Sequence, residues 1–333
     1  MISTSSAATI NSRPSGPGAP ASNVAAFPGL SLVEARLDYQ EPIVLVVYAG
    51  AGSGKSYLCG TANHLGLLPT EAKAIGTVMR VAQELGNETP LVPNQQLIRV
   101  ADPALQTLMP KVCQKVDDPK FKKGGKGEFS ASHFQDAMQS IGEKIQITDP
   151  PPKCCQRHYF RWHVNRMKHF GYLLLADERV HTNAIDSFGT FCADVSYANY
   201  GTTGVISASE FGFAPREDMN KELREFLNAM NRKNLILTHH SKPEWLNNAP
   251  TGRNKPESAW SGVDYFQTLT VELFADEIRG AGGRVERVNY RAVCRDCQAN
   301  PRLIGQTIAE NSDINFPFLA QRVFPESNEN LWE

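Results

Sequence analysis

Seven apolar residues in a row, Ile43 to Ala49 (IVLVVYA), lead straight into Gly50-Ala51-Gly52-Ser53-Gly54-Lys55-Ser56. No other stretch limits the fold so strongly. An apolar, β-branched run without polar alternation suits a strand buried on both faces of a parallel sheet. Parallel neighbours need crossover connections, usually helical. The chain is therefore expected to be α/β, with a mainly parallel central sheet flanked by helices.

Ala49 to Ser56 fits the phosphate-binding pattern GxxxxGK[ST], with Ala49 at the first position. The chemistry needs a buried strand, a loop whose glycines turn backbone N–H groups inward, and a helix whose positive end faces the anion. The expected nucleotide-binding set is Ala49, Gly50, Ala51, Gly52, Ser53, Gly54, Lys55, Ser56 and Tyr57. Lys55 would bridge the β- and γ-phosphates of ATP, and the Ser56 hydroxyl would ligate Mg²⁺, which prefers oxygen donors.

Such a loop needs an acid on another strand to hold the metal. Asp186 in NAIDSF, followed by Ser187, is the best placed. Asp102 and Glu178 are the acids available to polarise an attacking water, and the residues alone do not choose between them. Thr238-His239-His240 ends another apolar run, where an imidazole could sense the γ-phosphate; His240 is the preferred sensor.

Residues 1–30 are rich in Ser, Ala, Pro, Gly and Thr, with Arg13 as the only charge, and are expected to be a disordered tail. The nucleotide-binding domain is expected over 31–308, with a helix over Lys55–Leu67, a second over Glu71–Leu85 and a strand over 96–102. A basic insertion is expected at about 111–155, a helix over 156–176 and a strand over 182–188. A polar loop at 199–217 precedes a helix with Glu217 and Asp218 near its start and a strand over 234–239. A second polar loop follows at 241–262, then FQTLTVELFA and RVERVNYRAVC read as an antiparallel edge pair. Residues 309–333, with five acids against one arginine, read as an acidic tail.

Thirty-four Lys and Arg balance 35 Asp and Glu, for a net charge of −1, so any affinity for nucleic acid must be local. Between Pro150 and Ala176 there is no acid. Arg157, Arg161, Arg166 and Lys168 interleave there with Trp162 and other aromatics, a composition that can pair phosphates while rings stack on unpaired bases. The same pattern also suits a helix with aromatics in the core and solvated cations. Lys242, Arg253 and Lys255 in the second polar loop form another nucleic-acid candidate. Seven scattered cysteines suggest reduced thiols, and Cys294 and Cys297 with the adjacent Cys154 and Cys155 make a poor zinc set. Without a long apolar run or a secretion-type leader, a cytoplasmic protein with no membrane association is expected.

In order, the motifs AGAGSGKS, NAIDSFGTF, LILTHHSK and VNYRAVCRDCQANPRLIG resemble the phage RecA-like P-loop ATPases associated with single-strand annealing and recombination. The resemblance covers about 42–62 and 180–308. It implies a RecA-like P-loop NTPase fold with an antiparallel C-terminal edge. It also implies Asp186 as the magnesium acid, and Thr238 and His240 as the sensor strand. Arg295, Asn300, Pro301, Leu303 and Gly305 match the basic residue and NP.L.G of a late strand. By the same analogy, Arg295 would serve as a finger toward the γ-phosphate of a neighbouring subunit in a homo-oligomer, and the partner would be DNA, single-stranded by preference. Two alternatives stay open: a small-molecule or nucleotide kinase whose lid is the 111–155 insertion, and an ATP-binding assembly switch with little turnover.

Overall fold

The computed structural model describes residues 42–70, 72–92, 153–200, 215–257, 260–280 and 282–325. The expected tail at 1–30, the strand at 96–102, Asp102 and the insertion up to residue 152 lie outside them.

Strand β1 (Val44–Ala49) is buried along its whole length. Leu45, Val47 and Ala49 enter one apolar core, while Val44 and Val46 enter another on the opposite face, which is why the run has no polar alternation. In chain order there follow α1 (Lys55–Gly60), β2 (Leu65–Pro69), α2 (Ala72–Leu85), α3 (Lys153–Ala176), β3 (Thr182–Asp186), α4 (Phe188–Tyr200) and α5 (Pro215–Met230). Then come β4 (Asn234–Leu246), β5 (Ala249–Pro256), β6 (Leu269–Arg279), β7 (Val285–Cys297), β8 (Thr307–Glu310) and α6 (Phe316–Val323).

The strands lie in the order β2-β3-β4-β1-β6-β7-β8, with β5 paired to β4 off this path. The five from β2 to β6 are mutually parallel. Strands β7 and β8 close the edge antiparallel. The protein is thus α/β, with a mixed, mostly parallel sheet. One face is covered by Leu58 of α1 and by Phe316 and Leu319 of α6. The other is covered by Val164 of α3, Phe191 of α4 and Leu223 and Phe226 of α5. Among the described residues no helix is long and apolar enough to cross a membrane.

Three sequence expectations need correction. The helix expected over Lys55–Leu67 stops at Gly60, and Leu65–Pro69 is instead an edge strand. Its five residues include a glycine and a proline, and its hydrogen bonds come from pairing with β3 and from backbone bonds with Leu91. The polar loop expected at 241–262 is largely a β-ribbon: β4 continues to Leu246, turns through Asn247 and Asn248, both at positive φ, and returns as β5. Pro243, Pro250 and Pro256 argue against strands in the sequence, but this two-stranded ribbon with a free edge accommodates them. The acidic tail expected from Ala309 is, through Val323, part of the core: Ala309, Ile314, Phe316, Leu319, Ala320 and Val323 are buried. Charges at its exposed positions mask an apolar stripe.

Candidate functional site

Parallel strands that end on one side bring their carboxyl ends together, and here β1, β3 and β4 do so with β4 in the middle. Ile185 is in register with Leu237, and Ala49 with His240, so Asp186 and Thr238 end beside the loop that follows β1. The Ser56 hydroxyl donates to Asp186 Oδ2 at 2.6 Å, and the Thr238 hydroxyl donates to Asp186 Oδ1 at 2.5 Å. Two residues far apart in the chain thereby place hydroxyl oxygens on one carboxylate, that of Asp186, itself only 4% exposed.

Gly52 and Gly54 have φ of 76° and 92°, the left-handed region that a side chain would strain. Ala49, which replaces the first glycine of the pattern, is the buried last residue of β1 and has no positive φ, so its methyl is compatible with the loop. Gly50, Ala51 and Gly52 are exposed, while Ser53 and Gly54 are half-buried. Lys55 is buried at the start of α1, and its Nζ donates to the carbonyls of Ala49 at 3.1 Å and Gly50 at 2.9 Å. Tyr57 is exposed on the same short helix.

Thr70, just after β2, is a site residue that no sequence pattern indicated. Its N–H donates to the Asp186 carbonyl at 2.7 Å and its hydroxyl to the Ser187 carbonyl at 2.9 Å. The Ser187 N–H donates back to the same hydroxyl at 2.7 Å. The strand missed in the sequence therefore supplies the clasp that orients the acid. Glu178 is exposed in the turn before Thr182, at the other end of β3, and cannot reach this site.

The two histidines face opposite ways, as strand alternation requires. His239 is fully buried, edge-on to the Phe188 ring, and burial pushes its imidazole down to about 4. His240 shares its face with Thr238 and stays half-exposed, in register with Ala49.

On the other flank of β1, Tyr48 is in register with Glu272 of β6. Glu272 is 2% exposed, and its carboxylate accepts from Arg295 Nε at 2.7 Å, Arg295 Nη2 at 2.5 Å and Asn254 Nδ2 at 3.0 Å. The Tyr48 hydroxyl donates to the Asn254 carbonyl at 3.2 Å, and burial, reinforced by Glu272, pushes this phenol up. Arg295 is therefore engaged inside its own chain rather than extended toward a neighbour. Arg291 likewise pairs with Asp276 at 2.5 Å.

Of the basic stretch on α3, Arg161 donates to both Glu222 oxygens and to Asn199, and Lys168 donates to Glu222 at 3.2 Å. Burial would raise the Glu222 carboxyl, but the two cations outweigh it and hold it below the ordinary carboxylate range. Both cations are thus engaged by one carboxylate within the fold. Arg166 is half-buried. Arg157 and Trp162 lie on the same helix, with side chains outside the described set. On the β4–β5 ribbon Lys242 and Lys255 are cross-strand partners; Lys255 and Arg253 are exposed, Lys242 half-buried. The ribbon ends in Trp245 and Leu246, 59% and 66% exposed.

Cys294 and Cys297 are buried free thiols, and burial pushes Cys294 up to about 12. Among the described residues no cluster of three or more His, Cys, Asp or Glu side chains could hold a metal. A magnesium ion held on a nucleotide needs less from the protein, since phosphate and water oxygens complete its shell. The Ser56 hydroxyl and Asp186 carboxylate are oxygen donors that suit it. Compared with known proteins, the chain matches no family model and no curated protein.

Proposed function

We propose that this protein binds MgATP at the Ala49–Ser56 loop and acts as a RecA-like ATPase on single-stranded DNA. The observation that supports this reading most is the convergence of Ser56, Thr238 and Lys55 around Asp186 and the loop. A hydroxyl, a carboxylate and a cation from one loop and two strands meet where a triphosphate would lie.

Lys55 would leave the Ala49 and Gly50 carbonyls to neutralise phosphate oxygens. Ser56 and Asp186 would hold Mg²⁺, Asp186 directly or through water, and Thr238 would keep the carboxylate aimed. The bound metal would supply charge neutralisation to the phosphates. His240, on the loop-facing side of β4, is suited to sense the terminal phosphate. Glu71, which follows Thr70 in the chain, lies outside the described residues. Its place in the sequence, next to the threonine that clasps Asp186 and Ser187, makes it the acid to test for water activation in place of Glu178.

For the DNA role, the β4–β5 ribbon offers more than α3. Its cations Lys242, Arg253 and Lys255 flank an exposed Trp245, and a phosphate-pairing, base-stacking surface needs both. Assembly into a homo-oligomer rests on the resemblance alone, and Arg295 would have to abandon Glu272 to act as a finger.

An ATPase assay with and without an oligothymidylate, alongside calorimetry of ATP binding, tests the reading. Turnover stimulated by the oligonucleotide is the expected result. Tight ATP binding without turnover would favour the assembly switch, phosphate transfer to a small acceptor would favour the kinase, and no ATP uptake would overturn all three.

A further inference from the structure

Strands β4 and β6 flank β1, and both outrun it: beyond His240 and Glu272 neither is paired with β1. Beyond those points β4 pairs with β5 and β6 with β7, so two antiparallel ribbons leave the sheet on either side of the phosphate loop. One carboxylate ties them together. Glu272, where the second ribbon begins, accepts from Asn254 of the first and from Arg295 of β7. Tyr48, the residue before Ala49, donates to the Asn254 backbone between them.

We infer that Glu272 is a positioning residue: with Asn254, Arg295 and Tyr48 it couples the occupancy of the phosphate loop to the placement of the β4–β5 ribbon. This rests on the nucleotide-binding reading above, but not on its DNA part.

Lys55 donates to the carbonyls of Ala49 and Gly50. A triphosphate would offer the loop a second arrangement. With phosphate bound, the ammonium would have a stronger partner, and the Ala49 and Gly50 carbonyls would lose their cation. Tyr48 is wedged between strands, with its hydroxyl at Asn254, so a shift at Ala49 reaches the ribbon through one buried ring. A ligand can bias a distant segment only if it interacts differently with two such states. The near-complete burial of Glu272 and its two charge-assisted bonds from Arg295 make the anchor stiff enough to transmit that bias.

Hydrogen–deuterium exchange of the 241–256 peptide, with and without MgATP, tests this in the full chain. In the wild type, MgATP is expected to change exchange of the ribbon amides at least fivefold. Asn254 is exposed and Tyr48→Phe keeps the ring, so Asn254→Ala and Asn254→Asp, each combined with Tyr48→Phe to remove the hydroxyl that reaches the Asn254 carbonyl, are expected to fold; Asn254→Asp sets a second carboxylate against Glu272. Both variants should keep ATP affinity within threefold by calorimetry, yet lose the MgATP-dependent change. A merely structural Asn254 would raise basal exchange and leave that change intact, which would overturn the coupling. So would a wild-type ribbon that ignores bound MgATP, with the nucleotide reading left standing. Failure of the wild type to bind ATP would remove both.

Discussion

Ser56 and Asp186, 130 positions apart in the chain, share a hydrogen bond of 2.6 Å at the mouth of the phosphate loop. Asp186→Asn keeps an acceptor for Thr238 and a polar group beside Ser56, so the fold should survive. ATP turnover in magnesium is expected to drop by about 100-fold or more, as when one preorganised electrostatic group is removed. Steady-state phosphate release, with a circular-dichroism melt as the folding control, checks this.

Lys55→Ala removes the loop's ammonium, which donates to the backbone carbonyls of Ala49 and Gly50. The expected loss in ATP affinity is about 2–5 kcal/mol, the range for deleting one partner of a buried charge pair. Calorimetric titration measures it. An unchanged Kd would remove Lys55 from the site.

Basic residues on the ribbon and on α3 should behave differently. Trp245→Ala is expected to cost about 1–3 kcal/mol in oligothymidylate binding, the worth of one stacked base. Replacing Arg253 and Lys255 by Glu should weaken binding and flatten its salt dependence. Arg161→Ala should leave DNA affinity alone and lower stability by about 2 kcal/mol or more, because Glu222 loses its two-pronged partner. Fluorescence anisotropy across a salt series and urea unfolding separate the two effects.

Folding holds the His239 imidazole at about 4, against 6.5 when unfolded. Between those values the unfolded chain takes up a proton that the folded chain refuses. The stability present above pH 6.5 is therefore lost as pH falls toward 4, by roughly 3 kcal/mol at 1.36 kcal/mol per pK unit. Urea unfolding from pH 7 to pH 4.5 should show the decline. His239→Phe, which keeps a ring beside Phe188, should flatten it; an equally steep decline in the variant would assign the effect elsewhere.

Truncation after Ile308 removes Phe316, Leu319, Ala320 and Val323 from the core beneath β1. Phe316→Ala alone is expected to cost about 3–5 kcal/mol, a large share of a typical domain's stability. The truncated chain should therefore fail to give a cooperative melt. A normal transition would restore the reading of this segment as a tail.

The stretch from Ile43 to Ser56 carries its own fold: an unbroken apolar run must be buried on both faces, and the glycines, lysine and serine that follow fit a phosphate-binding pattern. Asp186 and the Thr238-His240 pair were likewise legible, because each closes an apolar run of the sequence. Local pattern could not reveal β2, whose five residues are a strand because β3 and Leu91 offer backbone partners. Nor could it reveal the clasp from Thr70. The partner of Arg295 depends on a glutamate 23 positions away on a neighbouring strand. The prolines of the β4–β5 ribbon and the charges around α6 argue locally against the structure that long-range pairing and burial impose. Sequence alone marked the loop proposed to take phosphate, since that pattern depends on contiguous residues. Strand order, which brings distant side chains within 3 Å of one another, decided what surrounds it.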